Sequence, residues 1–175
     1  MFGKSVYNAD FQREKKMDEL LKLIKNNAKE SPENLAKLLG INPGEVSARI
    51  AEYEKAGIIQ GYQTVINEDK LDDAPVTAVI EVRLTAEREG GFNRIAERIS
   101  RFPEVRSAFL MSGGYDLLLF VSGKTLNEVA SFVSEKLSPL GGVVGTGTHF
   151  MLKAYKKNDV LMRGPDENER PQISP

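Results

Sequence analysis

Three groups of residues in this 175-residue sequence have types and spacings that can do chemistry. In Ser112-Gly113-Gly114-Tyr115-Asp116, two consecutive glycines offer backbone amides with little steric hindrance, able to approach a carboxylate closely. Asp116 can accept from an ammonium group, and Tyr115 supplies a rigid wall with a hydroxyl. The same five residues also fit a plain hairpin turn in which Asp116 bonds only to backbone. The second group lies on the segment 43–55, where Arg49 is placed for a bidentate guanine contact and Ser47 for a base or a phosphate. Lys37 and Lys55, with Lys25 and Lys29, can meet phosphates around the rim. Glu45 can accept from a cytosine amine, although helix capping explains it more economically. The third is His149, the only histidine, which on its own reads as a half-buried strand residue between Thr148 and Phe150.

Other chemistry is excluded or has no support. There is no cysteine, so disulfide scaffolds, thiol chemistry and Cys-based zinc sites are ruled out, and one histidine cannot make a His-cluster metal site. No nucleophile–base pair can be assembled, and neither a catalytic site nor a cofactor is expected. The glycine-rich run 141–147 lacks a P-loop lysine and lies between a helix and a strand, the wrong order for a phosphate cradle.

The elements that must position these groups follow from periodicity and caps. Met17, Leu20, Leu21 and Ile24 fall at helical spacing and predict a helix over 17–28. Ser31-Pro32 starts a second helix that buries Leu35 and Leu38 and ends at Gly40. Asn42-Pro43-Gly44-Glu45 reads as a capping box for a third, with Val46, Ile50 and Tyr53 on one stripe and a stop at Gly57. About four residues separate the last two helices, the spacing of a helix-turn-helix, and the extended segment 58–65 reads as its wing. After a polar linker, 67–75, strands alternate with helices: a strand from Val76 to Leu84, a helix after Gly90-Gly91, strands at 105–111 and 117–122, a helix carrying Leu126, Val129, Val133 and Leu137, and a last strand at 143–155. The order βαββαβ gives an α+β, ferredoxin-like unit with both helices on one sheet face. The other face would stay uncovered unless a second subunit buried it, so a dimer is expected. The expected domains are an arm at 1–16, a winged helix-turn-helix at 17–66, the linker 67–75, the ferredoxin-like unit at 76–155 and a polar tail at 156–175. Met17 is also a natural alternative start, and the arm could equally cross to a partner.

Charge limits how the chain can hold a polyanion. Residues 1–66 carry 10 basic and 9 acidic side chains (+1) and residues 67–175 carry 14 and 16 (−2), which together give the net −1. Bulk attraction to nucleic acid is therefore excluded, though local patches are not. The third helix holds three acids against two bases, which predicts a weak grip per chain that leans on assembly. No apolar run approaches the roughly 18 residues of a membrane span and residues 1–16 have no apolar signal core, so a cytoplasmic protein is expected.

Four segments in this order and spacing carry a family resemblance: Leu35-Ala-Lys-Leu-Leu-Gly-Ile41, Glu54-Lys-Ala-Gly-Ile-Ile-Gln-Gly-Tyr62, Met111-Ser-Gly-Gly-Tyr-Asp-Leu-Leu-Leu119 and Thr146-Gly-Thr-His-Phe-Met-Leu152. Over about residues 17–155 the chain resembles the Lrp/AsnC (leucine-responsive, feast/famine) transcriptional regulators. The resemblance implies double-stranded DNA as partner and a homodimer joined through the C-terminal sheets, often assembled to octamers. It also implies a small effector, usually an amino acid, bound between subunits near the Gly-x-Tyr-Asp turn. Thr146 and Thr148 resemble family positions lining that cleft, beside Gly113, Gly114, Tyr115 and Asp116. Two other readings stay open. One is a ligand-binding oligomeric module whose helix-turn-helix has lost most DNA recognition. The other is an enzyme similar to the siroheme decarboxylases, which resemble this family in fold and use His and Arg side chains around a tetrapyrrole.

Overall fold

In a computed structural model, residues 17–85 and 92–162 are described. The expected arm, Gly90-Gly91 and the chain beyond residue 162 lie outside the described residues. The chain divides between Thr64 and Val65 into two units. Among the described residues, no helix is long and apolar enough to cross a membrane.

In the first unit every helix begins at a side-chain cap. Asp18 accepts from the Leu21 amide (2.9 Å) and starts α1, Glu19–Asn26, two residues inside each expected end because Asn27 leaves helical geometry. Ser31 caps α2, Pro32–Leu39, which ends on Gly40 at φ +68°, a conformation that favours glycine. Asn42 caps α3, Pro43–Lys55, through the Gly44 amide (2.8 Å). The bond goes to the second helical residue rather than to Glu45, and Glu45 makes no return bond to Asn42, so Asn42 caps without the expected capping box. Leu20, Ile24, Leu35, Ala36, Val46 and Tyr53 are the buried core, with Ile50 and Leu39 packed against them. Leu38, expected inside, is exposed. It follows Leu35 by three residues and lies at the edge of a helix whose opposite side already fills the core. Residues 58–66 form no strand among the described residues, contrary to the expected wing. No described residue pairs with them as a strand; the Ile58 and Ile59 amides donate to the Tyr53 carbonyl, and Ile58, Tyr62 and Ile66 stay exposed.

In the second unit, β1 (Val76–Leu84), α4 (Asn93–Ser100), β2 (Val105–Leu110), β3 (Leu117–Gly123), α5 (Leu126–Ser131) and β4 (Val143–Phe150) follow in the expected βαββαβ order. The sheet order is β2-β3-β1-β4, with every neighbour antiparallel. Period-two burial sends Ala78, Ile80, Val82 and Leu84 of β1 and Leu117, Leu119 and Val121 of β3 to one face. There they pack against Ile95 and Ile99 of α4, Val129 of α5, and Phe132 and Leu137. The helix after Thr125 widens into a π-turn, Phe132–Leu137, with Ser138 bonding back to Val133 (2.8 Å). The sheet's other face shows Val79, Glu81, Leu118 and Phe120, with Phe109 set edge-on to Phe120 at 6.3 Å.

Two boundaries differ from expectation. A 3-10 turn, Glu68–Lys70, interrupts the linker. The last long strand stops at Phe150, and the chain then makes a short hairpin, β5 (Lys156–Lys157) with β6 (Val160–Leu161), inside what the sequence reads as tail. Asn158 and Asp159, both at positive φ, form its two-residue turn. Asn and Asp tolerate that geometry, which matches strand twist.

Candidate DNA-reading and effector sites

Helix α3 of the first unit carries the candidate base-reading residues. Ser47 is exposed, and its hydroxyl donates to the Pro43 carbonyl (3.1 Å). Lys37 and Lys55 are exposed and form no ion pair among the described residues. Arg49 stands differently from the expectation of a free guanidinium. It is half-buried and pairs with the Asp18 carboxylate, while the Tyr53 hydroxyl lies 3.3 Å from the same nitrogen and donates to the same carboxylate oxygen. Asp18 thus caps α1 and ties it to α3. Burial pushes the Asp18 pKa up, but hydrogen bonds from Tyr53 and the Leu21 amide, with the Arg49 charge, outweigh it and leave the carboxyl below its ordinary value. Burial likewise works against the charged Arg49, and Tyr53 and Asp18 more than offset it. Tyr53 is raised by burial and by its bond to Asp18. A guanidinium held this way must leave Asp18 before it can reach a base edge. Sequence reasoning missed the triad because its members are 31 and 35 positions apart. The available signal was Asp18 itself, an N-cap residue just before the apolar stripe.

The Gly-x-Tyr-Asp segment joins β2 to β3 at the end of the sheet where β1 finishes. Met111 donates to the Asp116 carbonyl (2.8 Å), Asp116 donates to the Val82 carbonyl (2.9 Å), and one Asp116 carboxylate oxygen accepts from the Leu84 amide (2.7 Å). Asp116 therefore fixes the turn to β1, as the plain-hairpin reading requires, and its other carboxylate oxygen makes no hydrogen bond among the described residues. Gly113 sits at φ +148°, where a side chain is strained, whereas Gly114 has ordinary φ; a Cβ at either would meet nothing within 4 Å. Both glycines are exposed, and Tyr115 is half-buried beside them.

Thr146 lies opposite Val82 and Thr148 opposite Ile80, both on the helix-covered side of β4. Thr146 is half-buried with its hydroxyl 3.5 Å from that of Ser138, and Thr148 is exposed. Because β3 and β4 flank β1, the turn and Thr146 share one end of the sheet but stand on either side of β1, about two strand spacings (~10 Å) apart. His149 is on the other face, its Nε2 3.6 Å from Glu81, and mostly exposed rather than half-buried as expected. No group of three or more metal-ligating side chains occurs among the described residues.

Comparison with known proteins matches both units. The family model described as the Lrp/AsnC ligand binding domain matches residues 77–161, and one described as winged helix-turn-helix DNA-binding matches residues 19–60. The uncharacterized HTH-type transcriptional regulator YugG of Bacillus subtilis is 42% identical over 161 residues, 91% of this chain and 97% of that protein. The leucine-responsive regulatory protein of Haemophilus influenzae is 27% identical over 164 residues, 91% of this chain and 98% of its own. Among solved structures, a transcriptional regulator of Neisseria meningitidis in complex with L-Met superposes with a TM-score of 0.62 at 24% identity, covering 81% of this chain and 94% of that one.

Proposed function

Because the chain belongs to the Lrp/AsnC family of transcriptional regulators, we propose that it binds specific duplex DNA through the first unit and is controlled by an amino acid held by the second. The observation that carries the effector reading is the turn 112–116. Asp116 anchors it to β1 with one oxygen, which leaves the other for an ammonium group, while the Gly113 and Gly114 amides stand unhindered for a carboxylate. Thr146 and Thr148, across β1 from the turn, complete a site only if a second chain brings its own edge to the turn. The L-Met complex of the Neisseria regulator supports an amino acid as the ligand class.

The assembly we propose is a homodimer, open to octamers, that buries the helix-free face with Val79, Leu118, Phe109 and Phe120. Two helix-turn-helix units would then face half-sites about one helical turn (~34–36 Å) or a multiple apart. An effector shifts DNA occupancy only insofar as it binds the two assemblies with different affinity. On α3, Ser47 and Arg49 would read bases, with Lys37 and Lys55 on phosphates. The capture of Arg49 by Asp18 favours a second reading, a ligand-binding module with little DNA affinity. Calorimetric titration of the full chain with the twenty amino acids, paired with mobility shifts on its own upstream DNA at low salt, tests both. Heat from at least one amino acid and a retarded fragment are expected. Flat traces with all twenty would remove the effector, and an unshifted fragment would leave the second reading.

A further inference from the structure

A groove of about 320 Å³ lies along α4 and shares no residue with either candidate site; it is lined by Arg94, Glu97, Arg98, Arg101, Leu140 and Gly141. Its arginines fall at i, i+4 and i+7, a single stripe spanning about 10 Å of helix axis. All three are exposed, and none has an ion-pair partner among the described residues, Glu97 included. Arg98 in the last turn and Arg101 at the C-cap suit the helix dipole, but the first arginine does not. Arg94 and Arg98 repel each other at i, i+4, and Arg94 sits in a first turn that contains no acid and has no side-chain cap. Three exposed guanidiniums left without an ion pair, with Glu97 as the one acid beside them, stay available to an anion outside the fold. Gly141 opens the opposite wall, since a Cβ there would meet nothing within 4 Å.

Their positions on the helix span about 10 Å of its axis, a length that suits successive phosphates of one strand better than one small anion. Helix α3 itself offers few free cations: it exposes Glu45, Glu52 and Glu54, its arginine is tied to Asp18, and of its bases only Lys55 is unpaired among the described residues. We propose that Arg94, Arg98 and Arg101 form a second DNA contact that takes the duplex backbone without regard to sequence. The proposal rests on the DNA-binding reading above.

The test is the salt dependence of duplex binding by the full chain, unaltered and with R94Q/R98Q/R101Q or R94K/R98K/R101K. Each phosphate contact contributes about 0.9 to the slope of log K against log salt. The Gln variant is therefore expected to lower the slope by about 2 to 3 per chain and to weaken specific and random duplexes alike, while the Lys variant keeps most of it. Sedimentation of each variant reports assembly. An unchanged slope in the Gln variant, with the unaltered chain binding normally, overturns this contact and leaves the DNA-binding reading standing. A Gln variant that changes oligomeric state with the slope per chain intact identifies the row as a contact between copies, and also overturns it. If the unaltered chain binds no duplex, both readings fall together.

Discussion

At the scale of single residues, Asp18 holds two jobs, which a conservative change can separate. Asp18→Asn keeps a good N-cap for α1 but removes the charge facing Arg49. The pair is partly exposed, so at pH 7 the variant should lose up to about 1 kcal/mol in urea denaturation. The sign with pH is fixed by the lowered Asp18 pKa. The contribution is present above the unfolded value near 3.8 and is lost as pH falls through the lower folded value, so the variant and the unaltered chain should converge in strong acid. A gap that persists there would mean the capping geometry, and not the charge, was lost. The two turn glycines also differ. Gly114→Ala meets open space at ordinary φ, so stability should stay within about 0.5 kcal/mol while amino-acid affinity in calorimetry drops. Gly113→Ala is strained by its φ and should lower stability by about 1–2 kcal/mol as well. Equal affinity in Gly114→Ala and the unaltered chain would remove the turn from the effector site.

At the scale of elements, most of the fold was legible because the helices carry apolar residues at helical spacing, two of them behind caps readable at Ser31 and Asn42, and the core strands alternate at period two. Asp18, Ser31, Asn42 and Thr125 all cap as their positions before apolar runs require. Removing one should be costly: Asn42→Ala is expected to lower stability by about 1 kcal/mol in thermal or urea unfolding, and no loss would show that Pro43 alone sets the start of α3. What was not legible depends on partners. Residues 58–65 have an extended pattern, but a ladder needs a second strand, and none of the described residues supplies one. Residues 156–161 look polar and tail-like, yet Asn158-Asp159 between Lys156-Lys157 and Val160-Leu161 carried a type I′ hairpin signal that composition hid. The turn 112–116 was legible as residues, but its attachment to β1 through Leu84 was not, because that bond spans 32 positions.

At the scale of the whole molecule, near-neutral charge and a half-covered sheet point the same way. A chain at net −1 cannot hold DNA by bulk attraction, and in the assembly we propose two or more linked reading heads supply affinity that one lacks. A charge placed at the centre of the helix-free face, Phe120→Asp, should shift the protein toward monomer in sedimentation and cut DNA affinity by more than tenfold; a variant that stays dimeric would move the interface elsewhere. The most direct measurement is a footprint on the DNA upstream of the chain's own coding sequence, in excess competitor DNA, with and without the amino acid that gives heat in calorimetry. A bounded protected site with half-sites a helical turn or a multiple apart, altered in extent or occupancy by that amino acid, is the expected result. Protection that disappears with competitor, or a site indifferent to every amino acid that binds, would contradict an effector-controlled DNA regulator.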